Sequence, residues 1–427
     1  MVACIAVHSV VWSILLVSEG VLRVVTEDVV QASLVSDKGA EATLVSWTTE
    51  TFTAAYDGAT SEIANVRIQY TLAGTAEEVS YVVKVTPSRA QEKEFYSIIF
   101  AKECNFYAEI IPALNAVLKG IGEKPLRFPK CVYSSLEPGK EMIMLENLQE
   151  QGYSMQDRTV GIDAAHSLLV LQELARLHAA SLLLQAITPH QPLVHRFQAL
   201  QKEWTKEFNI GGDFETFISN HLDDVVEMFE KMGGCEEVVA WVRKIKPEAW
   251  TLYKQQLVAT PPFAVINHGD CWINNLLFKY DKDKRPVEVK MLDLQCCRVA
   301  SVATDLLLFL NLNLTGPVRR PNLNTFLASY HATLTSVMQK GSSIVPFTLE
   351  QLQQEYVDRG YYGILECLMW LPNTVRQPED MMDILDRTED ARNAERDDVL
   401  VMVDRNPLLK PRIISVVEEW MERGVIS

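Results

Sequence analysis

The sequence predicts an α+β fold with two lobes, a small β-rich lobe over residues 1–148 and a larger helical lobe over residues 149–427. Three observations lead to this prediction. The chain has 427 residues, and a single hydrophobic core stops growing near roughly 250–300 residues. Alternating apolar residues, typical of strands, dominate before the lobe boundary, and helical periodicity dominates after it. A short β insert at residues 263–293 interrupts the helical part.

The first lobe contains three strand patterns and one helix pattern. The runs "VRIQYTL" (66–72) and "VSYVVKV" (79–85) alternate apolar residues and flank the polar stretch "AGTAEE", which predicts a β-hairpin. Residues 91–111 have helical periodicity, and Pro112 predicts the end of that helix. "EMIMLENL" (141–148) predicts a short strand that leads into the connector between the lobes.

The second lobe is predicted to be mainly helical. "AAHSLLVLQELARLHAASLLL" (164–184) predicts one long helix, and residues 195–258 carry further helical patterns. Within the β insert, "FAVIN" (263–267) predicts a strand, and "LLFKY" (276–280) and "VEVKML" (287–292) predict a hairpin around a polar turn.

Composition and charge limit the class of partner. The chain is 48% hydrophobic and 22% charged, as globular proteins are, and its formal net charge is −16. It has no basic run, so we expect no nucleic-acid partner. We expect a small-molecule substrate and no stable membrane insertion, and the sequence does not specify an oligomeric state.

Cysteine usage and the N-terminus predict where the protein resides. The eight cysteines are scattered and form no CxxC pair, which favours a reduced, cytoplasmic protein with free thiols. Residues 2–17 are mostly apolar, but a membrane span needs about 20 such residues. We expect this segment to pack on the body as a helix or strand, with a signal peptide as the alternative.

The stretch "NHGDCWINNLLFKYD" (267–281) carries the chemistry. A hairpin brings its two open ends together, so Asn275, before the first strand, should lie beside Asp293, after the second. Asp270 lies in the loop that enters the same end. Two carboxylates and a carboxamide suit Mg²⁺ with phosphate oxygens, and one carboxylate remains to handle a proton. The order H-x-D-x-x-x-x-N followed by a later Asp matches the phosphoryl-transfer pattern, and a simple Asx turn is the alternative.

Phosphoryl-transfer sites of this kind also use a strand lysine paired with a helix glutamate. Lys84 is the only charge in "YVVKV", and Glu103 flanks the apolar stripe of the predicted 91–111 helix. Taken singly, each residue is more typical of a solvated surface charge, because lysine and glutamate are mostly exposed. The phosphoryl-transfer pattern around Asp270 nevertheless favours the interpretation of Lys84 and Glu103 as an ion pair.

The motifs "HGDCWINNLLFKYD", "MLDLQCCR", "MLENL", "ELARLHAAS" and "FAKECNFY" resemble the ecdysteroid-kinase-like family, also called the CHK kinase-like family. Its members are relatives of choline and aminoglycoside kinases with a protein-kinase-like fold. The resemblance implies ATP and Mg²⁺ as cofactors. It also implies Asp270 as the catalytic base, Asn275 and Asp293 as magnesium ligands in the ATP site, Lys84 on the ATP phosphates, and Glu103 holding Lys84.

The resemblance extends to the rest of the ATP site. It implies that Glu146 and Leu148 meet the adenine edge through their backbones. The phosphate-covering loop "YDGATS" (56–61) keeps Ser61 but has Tyr56 where the family has glycine. Loss of that glycine restricts how closely the backbone approaches a phosphate.

Several other polar and aromatic residues near these motifs have more ordinary interpretations. We expect His178 to be a hydrogen-bonded core histidine and His268 to orient the catalytic loop. The resemblance implies that Asp305 braces that loop, and a helix cap near Thr304 is the alternative. Trp272 either packs the loop or borders the acceptor pocket.

The sequence therefore predicts an ATP-dependent small-molecule kinase that phosphorylates a hydroxyl of a neutral, apolar alcohol, an ecdysteroid-like steroid or a xenobiotic. We expect the acceptor to bind against helices that carry Trp204, Trp241 and Trp250. One alternative is a non-catalytic pseudokinase that binds nucleotide or ligand, which Tyr56 favours. Another is a choline- or aminoglycoside-type kinase, which the acidic charge favours.

Overall fold

Most of the chain is described by a computed structural model. It covers residue 21 and residues 23–51, 61–86, 93–207, 213–377 and 389–427. The apolar N-terminal segment and Tyr56 lie outside the described residues. Residue contacts divide the chain into two compact units, the first comprising residues 1–108 and 129–153 and the second comprising residues 109–128 and 154–427.

A five-stranded sheet forms the core of the first unit. The strands are β1 (Thr43–Thr51), β2 (Glu62–Leu72), β3 (Thr75–Val85), β4 (Cys131–Ser135) and β5 (Met142–Glu146). Their order is β1–β2–β3–β5–β4, and all neighbours are antiparallel. Helices α1 (Glu27–Lys38) and α2 (Lys93–Asn105) complete this unit. The predicted hairpin and the strand at 141–148 are confirmed.

The β2–β3 turn is shorter than the sequence pattern predicts. Leu72 pairs directly with Thr75, so only two residues form the turn. Ala73 and Gly74 both have positive φ, 50° and 81°, as two-residue hairpin turns with the twist of the strands require. The polar stretch after Gly74 therefore continues β3, on an exposed part of the strand.

The predicted end of the 91–111 helix is wrong. α2 ends at Asn105, and a π-helical segment (Phe106–Ile110) and α3 (Ile111–Gly120) follow without a break. Pro112 lies in the first turn of α3. Proline is tolerated there because the first N–H groups of a helix have no partner inside the helix.

Helices make up most of the second unit. After α3 they are α4 (Ala164–Ile187), α5 (Leu193–Arg196), α6 (Trp204–Glu207), α7 (Phe214–Met232), α8 (Glu236–Ile245), α9 (Ala249–Gln256), α10 (Val302–Asn313), α11 (Gly316–Lys340), α12 (Leu349–Asp358), α13 (Gly360–Val375), α14 (Glu389–Arg405) and α15 (Leu409–Glu422). Single 3₁₀ turns occur at Gln198–Leu200, Lys246–Glu248 and Ile273–Asn275. The long helix predicted at 164–184 is confirmed as α4.

Two small sheets complete the second unit. One contains β6 (Tyr153–Met155), β8 (Leu276–Tyr280) and β9 (Pro286–Met291) in the order β6–β8–β9. The other pairs β7 (Ala264–Asn267) with β10 (Arg298–Ser301). The predicted strand at 263–267 and the predicted hairpin are confirmed, and so is the α+β class, with a sheet-rich first part and a helical second part.

One described helix, α4, is long and apolar enough to cross a membrane, with a mean hydropathy of 1.3 over its best window. In the fold, 78% of that window is buried inside the protein. Packing in the core is therefore sufficient to explain the apolar composition of α4. The seven cysteines in the described part of the chain are all free thiols.

Candidate active site

The loop predicted to be catalytic, residues 268–275 and hereafter the catalytic loop, lies where both small sheets of the second unit end. β7 leads into the loop and pairs with β10, Asn267 opposite Arg298. The β8–β9 hairpin leaves it, and the backbone N–H of Leu292 donates to the carbonyl of Asn275 at 2.9 Å. The residues just before and just after the hairpin are therefore opposed, as predicted.

Asn275 holds the carboxylate of Asp270. Its Nδ2 group donates to Oδ2 of Asp270 and to the Asp270 backbone carbonyl, both at 2.9 Å. Asn275 is buried, so these bonds fix the orientation of its amide. Because the nitrogen makes both bonds, the amide oxygen is the atom left to face a ligand.

Asp293 lies close enough to Asp270 to affect its protonation. Burial and then the negative charge of Asp293 raise the pKa of Asp270 to about 8, against the lowering effect of the Asn275 hydrogen bond. Asp293 has φ of 63°, a left-handed conformation that aspartate tolerates better than most residues. Gln295 Nε2 donates to Oδ2 of Asp293 at 3.1 Å.

The donor set around Asn275 and Asp293 fits Mg²⁺. Magnesium in proteins commonly takes one or two carboxylate or amide oxygens and completes its six positions with water and phosphate oxygens. The electrostatic repulsion between Asp270 and Asp293 is of the kind that a bound cation relieves. Among the described residues there is no group of three or more His, Cys, Asp or Glu side chains that suits a metal held by protein alone.

Asp305 braces the catalytic loop from the first turn of α10. Its carboxylate accepts the backbone N–H groups of His268 at 2.8 Å and Gly269 at 2.9 Å. His178 Nε2 lies 3.1 Å from the same carboxylate. The loop-bracing prediction is confirmed, and the helix-capping alternative is wrong because Ser301 occupies the cap position of α10.

The two histidines near the loop are structural, as predicted. His178 is fully buried, and its Nδ1 lies 2.8 Å from the Tyr330 hydroxyl. His268 Nδ1 accepts the backbone N–H of Asp270 at 3.3 Å. Burial lowers the pKa of His268, so the ring stays neutral and orients the loop.

Gly269 allows the loop to pack against the segment that follows Asp293. Its φ is 80°, and a Cβ at this position would overlap the carbonyl oxygen of Cys296. Only glycine meets both conditions. The backbone next to Asp270 is therefore held at close range to residues 296–298.

The first unit contains the predicted ion pair. Lys84 on β3 and Glu103 on α2 are 2.6 Å apart between Nζ and Oε2. Only 8% of Lys84 and 1% of Glu103 are exposed. Buried charges of this kind persist only when they are paired, so neither residue is a solvated surface charge.

Three further residues predicted for the ATP site lie in the first unit. The Ser61 hydroxyl is buried and finds no hydrogen-bond partner within the described part of the chain. The N–H of Glu146, at the end of β5, donates to Lys130 at 2.9 Å. The carbonyl of Leu148 accepts from Gln151 and Tyr153, both at 3.1 Å. The roles of Ser61, Glu146 and Leu148 toward ATP stay predictions.

A polar cluster beside Asp270 is not predicted by the sequence motifs. Arg298 donates to the Gly269 carbonyl at 3.2 Å and forms an ion pair with Glu203 at 3.3 Å. The Tyr253 hydroxyl donates to Glu366 at 2.5 Å. One available signal is that Glu366 is the only charged residue within α13, since a lone carboxyl in an apolar helix needs a partner.

The tryptophans predicted for the acceptor side fall into separate places. Trp204 and Trp250 pack edge-on against Phe214, with ring centroids 5.1 Å and 5.4 Å away. Trp241 instead stacks on Tyr361 at 6.0 Å. Trp204, Phe214 and Trp250 belong to one aromatic cluster, hereafter the Phe214 cluster, which continues to Tyr253 at 5.7 Å.

The ecdysteroid kinase-like family model matches residues 55–342, more than half of the chain. The chain belongs to the ecdysteroid kinase-like family. Membership in this family confirms the resemblance seen in the sequence motifs and supports the coarse prediction of a small-molecule phosphotransferase. No curated protein sequence matches the chain.

Several solved structures are similar to this member of the ecdysteroid kinase-like family at 12% identity. An ethanolamine kinase of Plasmodium vivax has a TM-score of 0.41 and covers 86% of this chain and 83% of its own. Aminoglycoside 2′-phosphotransferase-IIIa in complex with GDP has a TM-score of 0.39, with 89% and 99% covered. A microcompartment-associated aminopropanol kinase has a TM-score of 0.38, with 87% and 96% covered.

Proposed function

We propose that this protein is an ATP- and Mg²⁺-dependent kinase that phosphorylates a hydroxyl group of a neutral, largely apolar alcohol, steroid-like or xenobiotic. The observation that carries the proposal is the hydrogen-bonded pair of Asp270 and Asn275, placed at the open end of the β8–β9 hairpin beside Asp293. The cytoplasmic location stays a prediction.

Asp270 acts as the proton acceptor in this proposal. A general base works best when its pKa is near the working pH, and burial together with Asp293 brings the pKa of Asp270 to about 8. The bond from Asn275 and the brace from Asp305 hold its carboxylate in place. The acceptor hydroxyl would donate its proton to Asp270 as its oxygen attacks the γ-phosphorus of ATP.

Asn275 and Asp293 would hold the magnesium ion, which neutralises charge on the phosphates. Lys84, positioned by Glu103 at 2.6 Å, would hold the phosphate oxygens. The buried Ser61 hydroxyl would donate to a phosphate, and the backbones of Glu146 and Leu148 would meet the adenine edge. These assignments use the side chains that phosphoryl transfer requires.

The surroundings of Asp270 support a neutral acceptor. A kinase for cationic alcohols needs unpaired carboxylates on the acceptor side. Here Glu203 is paired with Arg298. Glu366 accepts a hydrogen bond from Tyr253, and burial raises the pKa of Glu366. The nearby Phe214 cluster offers apolar ring surface instead.

The pseudokinase alternative depends on Tyr56, which lies outside the described residues. The described positions do not favour that alternative, because Lys84, Glu103, Asp270, Asn275 and Asp293 all retain the side chains that catalysis needs.

Transfer of labelled γ-phosphate from ATP to a panel of acceptors tests the proposal. The panel contains ecdysteroids, other hydroxysteroids, plant phenolics, choline and aminoglycosides. We expect label on neutral polycyclic alcohols at a rate at least about tenfold above that on the cations, since one unpaired charge changes binding by about 1.4 kcal/mol or more. Efficient labelling of choline with none of any sterol would overturn the acceptor class. ATP binding without transfer to any acceptor would favour a pseudokinase.

A further inference from the structure

Arg298 occupies an unusual position next to the catalytic loop. It is the first residue of β10 and only 3% of it is exposed. One guanidinium nitrogen donates to the carbonyl of Gly269, the residue before Asp270, at 3.2 Å. Another pairs with Glu203, directly before Trp204 and the Phe214 cluster, at 3.3 Å. Arg298 therefore joins the catalytic loop to the aromatic side of the site.

Arg298 is also a positive charge that acts on two acidic groups, Glu203 and Glu366. Glu203 is its ion-pair partner. Burial raises the pKa of Glu366, and the Tyr253 hydrogen bond and then the charge of Arg298 lower it. One guanidinium thus pairs with Glu203 and lowers the pKa of Glu366 within a buried setting.

We propose that Arg298 is the residue that makes the acceptor site select neutral alcohols over cationic ones. This inference rests on the proposed function and deepens it by assigning the acceptor preference to one side chain. Buried charges interact strongly because little water screens them. With Arg298 present, an acceptor cation gains no unpaired carboxylate and meets a like charge. Without it, the Glu203 carboxylate loses its ion-pair partner and becomes available to a cation.

The aromatic side of the site makes this switch physically reasonable. Quaternary ammonium groups bind well where aromatic faces and a carboxylate meet. Trp204 and Trp250 lie on Phe214, and Tyr253 links that cluster to Glu366. Aromatic rings can contact a neutral apolar group as well as a quaternary ammonium group. The balance of charge at Arg298 then decides between them.

A purely structural role for Arg298 predicts a different result. Loss of a buried arginine would weaken every acceptor alike, whatever its charge. A selectivity role predicts that loss of the Arg298 charge strengthens the binding of cationic acceptors and does not strengthen the binding of neutral ones. The variant Arg298→Lys also distinguishes the structural role from the selectivity role. Lysine keeps the charge but loses the geometry with which the guanidinium bonds on two sides.

The experiment compares choline with its neutral carbon isostere, dimethylbutanol, on the full chain. Calorimetry measures the dissociation constants of both for the wild type, Arg298→Met and Arg298→Lys. We expect choline to bind about tenfold or more tightly to Arg298→Met than to the wild type, with dimethylbutanol unchanged or weaker. Arg298→Lys should keep the wild-type preference for the neutral compound.

Two controls keep the result interpretable. Arg359→Met removes another partly buried arginine, which pairs with Glu355 at 2.7 Å and donates to backbone carbonyls of α9, and it should leave the choline affinity unchanged. The double variant Arg298→Met/Glu203→Gln lacks both charges and should lose most of the gain in choline binding. If Arg298→Met does not fold, Arg298→Gln replaces it in the same comparison.

No rise in choline affinity on removal of the Arg298 charge would overturn the inference, and so would an equal rise in Arg359→Met. The outcome is separate from that of the proposed function, because it is read from binding. If no variant transfers phosphate to any acceptor, the kinase proposal fails, while the choline measurement still decides the role of Arg298.

Discussion

At the scale of single residues, both units contain charges that are kept away from water and held by specific partners. Lys84 and Glu103 neutralise each other in the first unit, 2.6 Å apart. In the second unit, Asp305 accepts two backbone N–H groups of the catalytic loop while bonded to His178. Such arrangements fix geometry at the expense of the solvation of each charge.

Lys84→Met should lower kcat/KM for ATP by on the order of a hundredfold, the scale seen when one charge-stabilising donor is removed. Glu103→Gln should give a smaller defect, about tenfold, because it acts only through the position of Lys84. Steady-state kinetics at varied ATP measures both, and circular dichroism checks the fold. Wild-type kinetics in Lys84→Met would exclude the role of this lysine.

Gly269→Ala should impair both stability and activity. The alanine methyl would be strained at φ of 80° and would overlap the Cys296 carbonyl. Gly122→Ala is the matched control, because its φ is 74° and nothing lies within 4 Å of the added Cβ. We expect the free energy of unfolding to fall by about 1–2 kcal/mol in the control and by clearly more in Gly269→Ala. Urea unfolding measures both values. Equal losses in the two variants would show that the close approach at Gly269 is not tight.

At the scale of elements, the β8–β9 hairpin determines where the predicted metal ligands lie. Leu276 pairs with Met291, so the ends of the hairpin bring Asn275 and Asp293 to the same place. Hydrophobic residues that recur every few positions along the chain predict this hairpin, α4 and the β2–β3 hairpin. β1 is harder to predict because it is an edge strand without a buried residue in its described part. β10 has only four residues, and its partner β7 lies more than 30 positions earlier.

Asp293→Asn should abolish most Mg²⁺-dependent nucleotide binding while the fold survives. Asparagine has nearly the same shape and also tolerates the left-handed backbone at φ of 63°, but it lacks the charge that a hard cation needs. Calorimetric titration of ATP with and without Mg²⁺ measures the effect, which we expect to be about a hundredfold. Asp283→Asn, in the exposed turn of the same hairpin, is the control. An unchanged dependence on Mg²⁺ in Asp293→Asn would remove the metal assignment.

The contact of α7 with α14 should make stability depend on pH. Burial is the main cause that raises the pKa of Asp224 on α7 to about 6. The acidic neighbours Glu395 and Glu227 raise this pKa further, and the basic neighbours Arg392 and Arg396 lower it. A carboxyl whose pKa is raised on folding stabilises the fold at low pH and loses that contribution as pH rises through the folded pKa.

Asp224→Asn should therefore remove a decline in stability between about pH 4 and pH 6. Because the side chain is only partly buried, we expect a decline on the order of 1 kcal/mol in the wild type. Urea unfolding across this range measures it, with the exposed Asp283→Asn as the control. A wild-type stability that is flat or rises over this range relative to Asp224→Asn would contradict the prediction.

At the scale of the whole molecule, the net charge of −16 does not describe the site. Around Asp270 the nearby carboxyl groups are balanced by Arg298 and Tyr253, although the surface as a whole is acidic. Net charge reports the long-range field and not the local pairing. In our proposal, selectivity for the acceptor therefore depends on a few buried side chains.

The sequence predicts Asp270, Asn275 and Asp293 better than the polar cluster beside them for a physical reason. Asp270, Asn275 and Asp293 are joined by a hairpin, so their spacing along the chain reflects their spacing in space. Glu203 and Arg298 meet although they are 95 residues apart, and Glu366 and Tyr253 meet over 113 residues. No short-range pattern in the sequence encodes contacts between residues so far apart. These contacts form only when the folded chain packs the helices together.

Phosphate transfer by Asp270→Asn in a single turnover tests the central claim most directly. Enzyme in excess over labelled ATP is mixed with the best acceptor from the panel, and the product is quantified over time. We expect the transfer rate to fall by about 10²–10⁴-fold, as for loss of a general base, with acceptor and ATP affinities changed less than about threefold. A transfer rate in Asp270→Asn equal to that of the wild type would contradict the assignment of Asp270 as the catalytic base.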